Sequence, residues 1–105
     1  MKELKAVHIQ GSTLIGISRS DYIMANVLAA NVAEVVTIPT DAQYVLFSAN
    51  TDFYARFNAA AAVPATESTD GTASMLNPAL RQIDGASTIG LISPYACVVT
   101  MAFYS

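Results

Sequence analysis

Tryptophan is absent from this sequence, cysteine and histidine occur once each, and charged residues make up only 12% of the chain. The lone cysteine, Cys97, rules out an intramolecular disulfide. One cysteine and one histidine are also too few for a zinc site, which takes several such ligands. Cys97 stands in the apolar run Cys97-Val98-Val99, the setting of a buried, inert thiol rather than a nucleophile. His8 has no nucleophile-elbow motif to serve, and nothing in the sequence sets a serine or an acid beside it, so Ser-His-Asp chemistry has no support. Without tryptophan the widest stacking platform for a sugar ring is missing. No glycine-rich phosphate loop occurs.

Positive charge is scarce as well. Lys2, Lys5 and Arg19 sit near the start, and from Tyr22 onward six acids face only Arg56 and Arg81, within a net charge of −3. Phosphate backbones are neutralised by basic stripes, so no nucleic-acid partner is expected; a polybasic membrane surface is disfavoured for the same reason. No run of about 18 apolar residues is present to span a bilayer. Glu3, Lys5, His8 and Gln10 interrupt any apolar leader core, which predicts a chain made in the cytoplasm without an export signal.

What the chain has in plenty is apolar residues, 53% of the total. A usual charged share is roughly 25%, and a chain of 105 residues forms one domain with little core to spare. Much Ala, Val and Ile must therefore lie at the surface. Subunit interfaces resemble core more than they resemble solvent-facing surface, so this composition predicts an oligomer or a component of an assembly.

Turn residues divide the apolar runs into short strands. Within Glu34–Asn58 lie Val35–Ile38, Tyr44–Phe47 and Phe53–Phe57, separated by Pro-Thr-Asp-Ala and Ser-Ala-Asn-Thr-Asp, the pattern of an antiparallel meander. In the third run Phe53, Ala55 and Phe57 point one way and Tyr54, Arg56 and Asn58 the other. Tyr44–Phe47 is apolar on both faces. If Val45 and Phe47 line the core, Tyr44 and Leu46 must be covered by another chain or by the N-terminal arm.

Residues 1–20 read as an arm or edge strand, with a turn at Gly11-Ser12-Thr13 between Leu4–Gln10 and Leu14–Ile17; an untied terminus is the alternative. Tyr22–Ala29 reads as extended, with a short helix capped by Ser20 as the competing assignment. Residues 60–75 form an exposed excursion with an Asp70-Gly71 turn. Asn77-Pro78 blocks a helix and leaves a strand at Ala79–Ile83, followed by Thr88–Ile92 and the long Cys97–Tyr104 run. Residues 21–105 are thus expected to form a single all-β domain, an antiparallel, jelly-roll-like β-sandwich of seven to eight short strands with an extended N-terminal arm.

Sites for chemistry are not evident. Glu67 and Asp70 match no EF-hand spacing, and Asp41, Asp52 and Asp84 occupy turn positions where aspartate bonds its own backbone. Five tyrosines (22, 44, 54, 95 and 104) fit sheet faces and interfaces better than a sugar platform. No enzyme activity, catalytic residue, cofactor or metal site is expected. Tyr44, Leu46, Tyr54, Arg56 and Tyr104 are the candidate interface.

The stretch VVTIPTDAQYVLFSANTDFYARFN, followed by AVPATESTDGT, LNPALRQIDG and the closing CVVTMAFYS, resembles the small proteins that decorate or cement the capsids of tailed bacteriophages. The likeness runs from Ala29 to Ser105 and lies in the order of elements rather than in a catalytic motif. It implies a jelly roll, a homotrimer gripping several copies of the major capsid protein, and a place on the virion's capsid surface after synthesis in the host cytoplasm. The competing reading is a small tail, fibre or carbohydrate-binding module that recognises host glycans. A hydrolase on a β-sandwich is a distant third.

Overall fold

A computed structural model describes residues 1–9, 11 and 13–105. Two strands, β1 (Ala6–Ile9) and β2 (Thr13–Ile17), pair with each other as an N-terminal hairpin. Eight more follow: β3 (Tyr22–Leu28), β4 (Glu34–Thr37), β5 (Tyr44–Ala49), β6 (Tyr54–Phe57), β7 (Met75–Leu76), β8 (Leu80–Gln82), β9 (Thr88–Ile92) and β10 (Cys97–Tyr104). They form two four-stranded antiparallel sheets, ordered β3-β10-β5-β8 and β4-β9-β6-β7. Successive strands cross between the sheets except for β6 and β7, which pair with each other, and this double Greek-key order is a jelly roll.

Alternation builds the core. On β10, Val99, Met101 and Phe103 are fully buried while Val98, Thr100 and Ala102 face outward half-exposed. Val45 and Phe47 of β5 and Leu28 of β3 join them from the same sheet, and Val36, Ala55, Ile89 and Leu91 close on them from the other. Phe47 and Phe53 meet across the sandwich with ring centroids 5.8 Å apart.

Three sequence expectations change. The strands of Glu34–Asn58 are not a meander: β4 and β6 both pair with β9, and β5 lies in the opposite sheet. The links Ile38–Gln43 and Asn50–Phe53 carry the chain across the roughly 10 Å between the sheets instead of reversing it within one. Asp41 takes a left-handed φ of 69° in the first link, as aspartate tolerates. Second, the two extended pieces about a turn in residues 1–20, read as an arm or edge strand, pair with each other as a hairpin. Gly11 of the expected turn has φ 87°; Gln10 and Ser12 lie outside the described residues. Third, the excursion at 60–75 is not wholly exposed, because Ala61 is buried.

The third change has a specific cause. Gly90, at the centre of β9, faces outward between Val35 and Arg56, and the backbone of Ala59–Ala61 lies directly on it. A Cβ there would stand 2.7 Å from the Ala61 nitrogen and collide with the Ala59 carbonyl oxygen. The other expected elements hold their places, including Tyr22–Leu28 as strand rather than helix. The Asp84-Gly85 turn has both residues left-handed, at 50° and 80°, and is closed by the Ala86 N–H donating to the Ile83 carbonyl at 3.1 Å, the pattern of a type I′ turn, here carrying the chain from β8 to β9 in the opposite sheet. Gly90→Ala should displace the 59–61 segment and cost about 1–3 kcal/mol, the usual range for overpacking, read as a lower urea midpoint.

Candidate interaction surface

The outer face of the β3-β10-β5-β8 sheet follows from the strand register. Ala102 pairs with Ile23 on one side and Leu46 on the other, and Leu46 pairs with Leu80. One apolar row thus crosses all four strands. Val27 beside Val98 extends it along β3, and Ala25, Thr100, Ser48, Tyr44 and Gln82 fill the remaining outward positions. No side chain on this face carries a formal charge. The segments that dominate it explain why: Tyr22–Ala33 and Gly85–Ser105 contain no Asp, Glu, Lys or Arg. At its β3 edge the face is open, with Ile23 61% and Val27 78% exposed.

The second apolar feature is the hairpin. All nine residues of β1 and β2 are exposed, and Val7, Ile9, Leu14, Ile15 and Ile17 are among the molecule's exposed large aliphatics. Pairing puts Leu14 opposite His8 and Ile17 opposite Ala6 on one side, so Val7 and Ile9 project from the other. Both sides of a two-stranded ribbon are therefore apolar and wet, although such a ribbon is marginal alone in water.

Polar bonds fix the hairpin's root to the sandwich. The Lys5 N–H donates to Ser18 Oγ at 2.9 Å, and Ser18 Oγ donates to the Glu3 carbonyl at 2.8 Å. Ser20 Oγ donates to the Phe103 carbonyl at 2.7 Å, and the Tyr104 hydroxyl donates to the Ser18 carbonyl at 2.7 Å. The Ser105 N–H donates to the Lys2 carbonyl at 2.9 Å. The Lys2 N–H donates to Asp21 Oδ1 at 3.0 Å, and that bond holds the Asp21 carboxyl below the ordinary 3.8.

The five residues singled out from sequence are not one surface. Tyr44 and Leu46 lie on the uncharged face, half-buried. Tyr104 shares that face by register but is only 2% exposed, covered by the hairpin root rather than by another chain. Tyr54 and Arg56 sit on the outer face of the opposite sheet, beside Ile92 and Gly90, where the 59–61 segment already packs. The sequence reading missed Ile23, Val27, Leu80, Val98 and Ala102. The outward set of β3 was legible as alternation, but its place beside Leu46 depends on pairings between distant strands.

Other candidates are occupied locally or dispersed. Asp70 Oδ1 accepts from Thr72 Oγ1 at 2.6 Å, from the Thr72 N–H at 3.1 Å and from Ser68 Oγ at 3.2 Å, which lowers its pKa. Asp52 accepts from Asn77 Nδ2 at 2.9 Å. Asp41 precedes β5 and Asp84 follows β8 at one end of the sandwich, with Asp52 beyond the other end of β5, so these carboxylates do not converge. Among the described residues no group of acids, histidine and cysteine could hold a metal ion. Cys97 is buried, its Sγ facing the Thr51 carbonyl at 3.7 Å. The tyrosines also scatter: Tyr22 packs edge-on against Phe103 at 6.0 Å, and Tyr95 is exposed in the β9–β10 turn.

A cleft of about 320 Å³ opens beside the end of β5, lined by residues including Phe47, Asp52, Phe53 and Asn77. A second, of about 210 Å³, lies beneath the 62–74 loop near Arg56. Neither gathers titratable groups beyond one charged side chain. No protein-family model, curated protein or solved structure matches the chain.

Two outcomes test the root. Tyr104→Phe leaves the Ser18 carbonyl without its donor and should cost about 1 kcal/mol, a fall of about 4–8 °C in Tm for a domain of this size. Because Asp21 is more acidic when folded, its contribution is complete above the ordinary value of 3.8 and lost as pH falls through the lowered one. An NMR titration should therefore place the Asp21 midpoint below 3.8, and Asp21→Asn should remove the acid-dependent loosening of Lys2.

Proposed function

We propose that this protein works by subunit contact, as a structural component of a phage virion that decorates or cements the capsid. In this reading it is a homotrimer bridging neighbouring copies of the major capsid protein, and it carries no catalytic centre. The observation that supports it most is the pairing of an uncharged sheet face with an apolar hairpin standing in solvent. Solvent-facing surface of this kind is unfavourable on a monomer and ordinary at a permanent interface.

The jelly roll alone is neutral on the question, since the fold serves capsid and lectin domains alike. The order of turns and strands from Ala29 to Ser105, which resembles decoration proteins, tips the reading toward the capsid. Scattered tyrosines weigh against glycan recognition, which needs aromatic faces gathered around one groove. Physically the role is clamping: a trimer seated across the joints between capsomers buries area on each of them and resists expansion under internal pressure.

Purified protein should elute as a trimer by size exclusion with light scattering, about 33 kDa from subunits of 11.1 kDa. Mixed with shells that lack it, it should add resolved density over the joints between capsomers. A monomer that binds oligosaccharides and leaves shells bare would overturn the proposal.

A further inference from the structure

The hairpin and the uncharged face belong to the same chain, and their shapes match. With strands about 4.8 Å apart, four of them present a face about 14 Å wide; five residues at about 3.4 Å each give a hairpin stem about 17 Å long. The chain exposes 6297 Å², against about 5,650 Å² for a compact monomer of its mass. Its radius of gyration is 14.8 Å, against about 13 Å for a compact domain of this length. The excess, about 650 Å², is of the size a free-standing hairpin adds; with an equal area of the surface it covers, the total is about 1,300 Å², inside the 1,200–2,000 Å² of a standard specific interface.

We infer that the hairpin of one copy docks across the outer face of the β3-β10-β5-β8 sheet of a second copy, along the row Ile23, Ala102, Leu46 and Leu80. The inference rests on the subunit-contact reading and deepens it by naming the two surfaces that meet. Between Ala6 and Ile17 the sequence has no Asp, Glu, Lys or Arg, and the receiving face has none, so neither side buries an unpaired charge. The opposite sheet is a poorer receiver, because the 59–61 segment already covers Gly90 and Arg56 stands beside it. Each copy offers one donor element and one acceptor face. Such a head-to-tail contact closes into a ring when the rotation permits, and the second apolar side of each hairpin then faces the middle of the ring.

A lipid surface is the other apolar partner to weigh. Lys2, Lys5 and Arg19 at the root would suit anionic headgroups. The bend, however, carries the left-handed Gly11, and Val7, Leu14, Ile15 and Ile17 sit on the stem behind it. A ribbon entering a bilayer leads with its tip, whereas aliphatic side chains spread along both sides of a stem are placed for contact along its sides.

Leu14→Cys and Ile23→Cys, prepared as separate single variants, test the contact, because the one native thiol is buried. Mixed in equal amounts and oxidised, they should yield a disulfide-linked dimer whose digest contains the 14–23 cross-link. Only 14–14 links, or none, would overturn the inference. Leu14→Asp with Ile15→Asp changes solvent-exposed positions outside the core, so the sandwich should stay folded by circular dichroism while the assembly falls to monomer. A trimer that persists in that variant overturns the docking and leaves the subunit-contact reading standing. Flotation of the wild type, but not the variant, with phosphatidylserine-containing vesicles would assign the hairpin to lipid and overturn it as well. So would a wild-type monomer that binds shells only through an intact hairpin.

Discussion

Strand β10 is the member on which the rest of the molecule depends. It is hydrogen-bonded along both edges, to β3 and to β5, and its inward residues Val99, Met101 and Phe103 are fully buried. Its last residues receive the N-terminal segment through the Phe103 carbonyl, the Tyr104 hydroxyl and the Ser105 N–H. One strand therefore sets the core, one outer face and the anchorage of the hairpin. Because no charged residue occurs from Gly85 to the end of the chain, the strand that organises the fold also leaves its outer face without charge.

That coupling explains how a small all-β protein comes to carry apolar surface on a stable frame. The inward and outward positions of a strand are separate by geometry, so β10 and β3 hold the core with one set of side chains and expose another. An open edge strand invites unwanted pairing and is usually blunted by charge, proline or a bulge. Here β3 has neither charge nor proline. The hairpin shows one such device, an irregularity in register between Val7 and His8, which limits its extension into a longer sheet while leaving its faces free.

Much of this fold was legible in the residues. The strands at Thr88–Ile92 and Cys97–Tyr104 stand out by β-branched content and by turns at Asp84-Gly85 and Ser93-Pro94, and they are found at those bounds. Which strand pairs with which was not legible. Pro39 to Gln43 looks the same whether the chain reverses within a sheet or crosses to the other one, and only the later arrival of β9 between β4 and β6 separates the cases. Strand β7 spans two residues, too few for any periodicity. The outward placement of Leu46 could be read from the two-sided apolar run it sits in. Its neighbours Ile23, Ala102 and Leu80 could not, because the row exists only once three pairings are fixed. Tyr104 shows the converse: a residue that looked free to contact another chain is covered by a segment more than eighty positions away.

If apolar, uncharged surface is what brings copies together, association must be indifferent to screening and strengthened by excluded salts. Sedimentation velocity across a protein concentration series, at low and at high sodium sulfate, tests this most directly. The account predicts a multimer whose mass holds or whose self-affinity rises as sulfate is added. A single species at the subunit mass of 11.1 kDa under all conditions, or a multimer that salt dissolves, would contradict it.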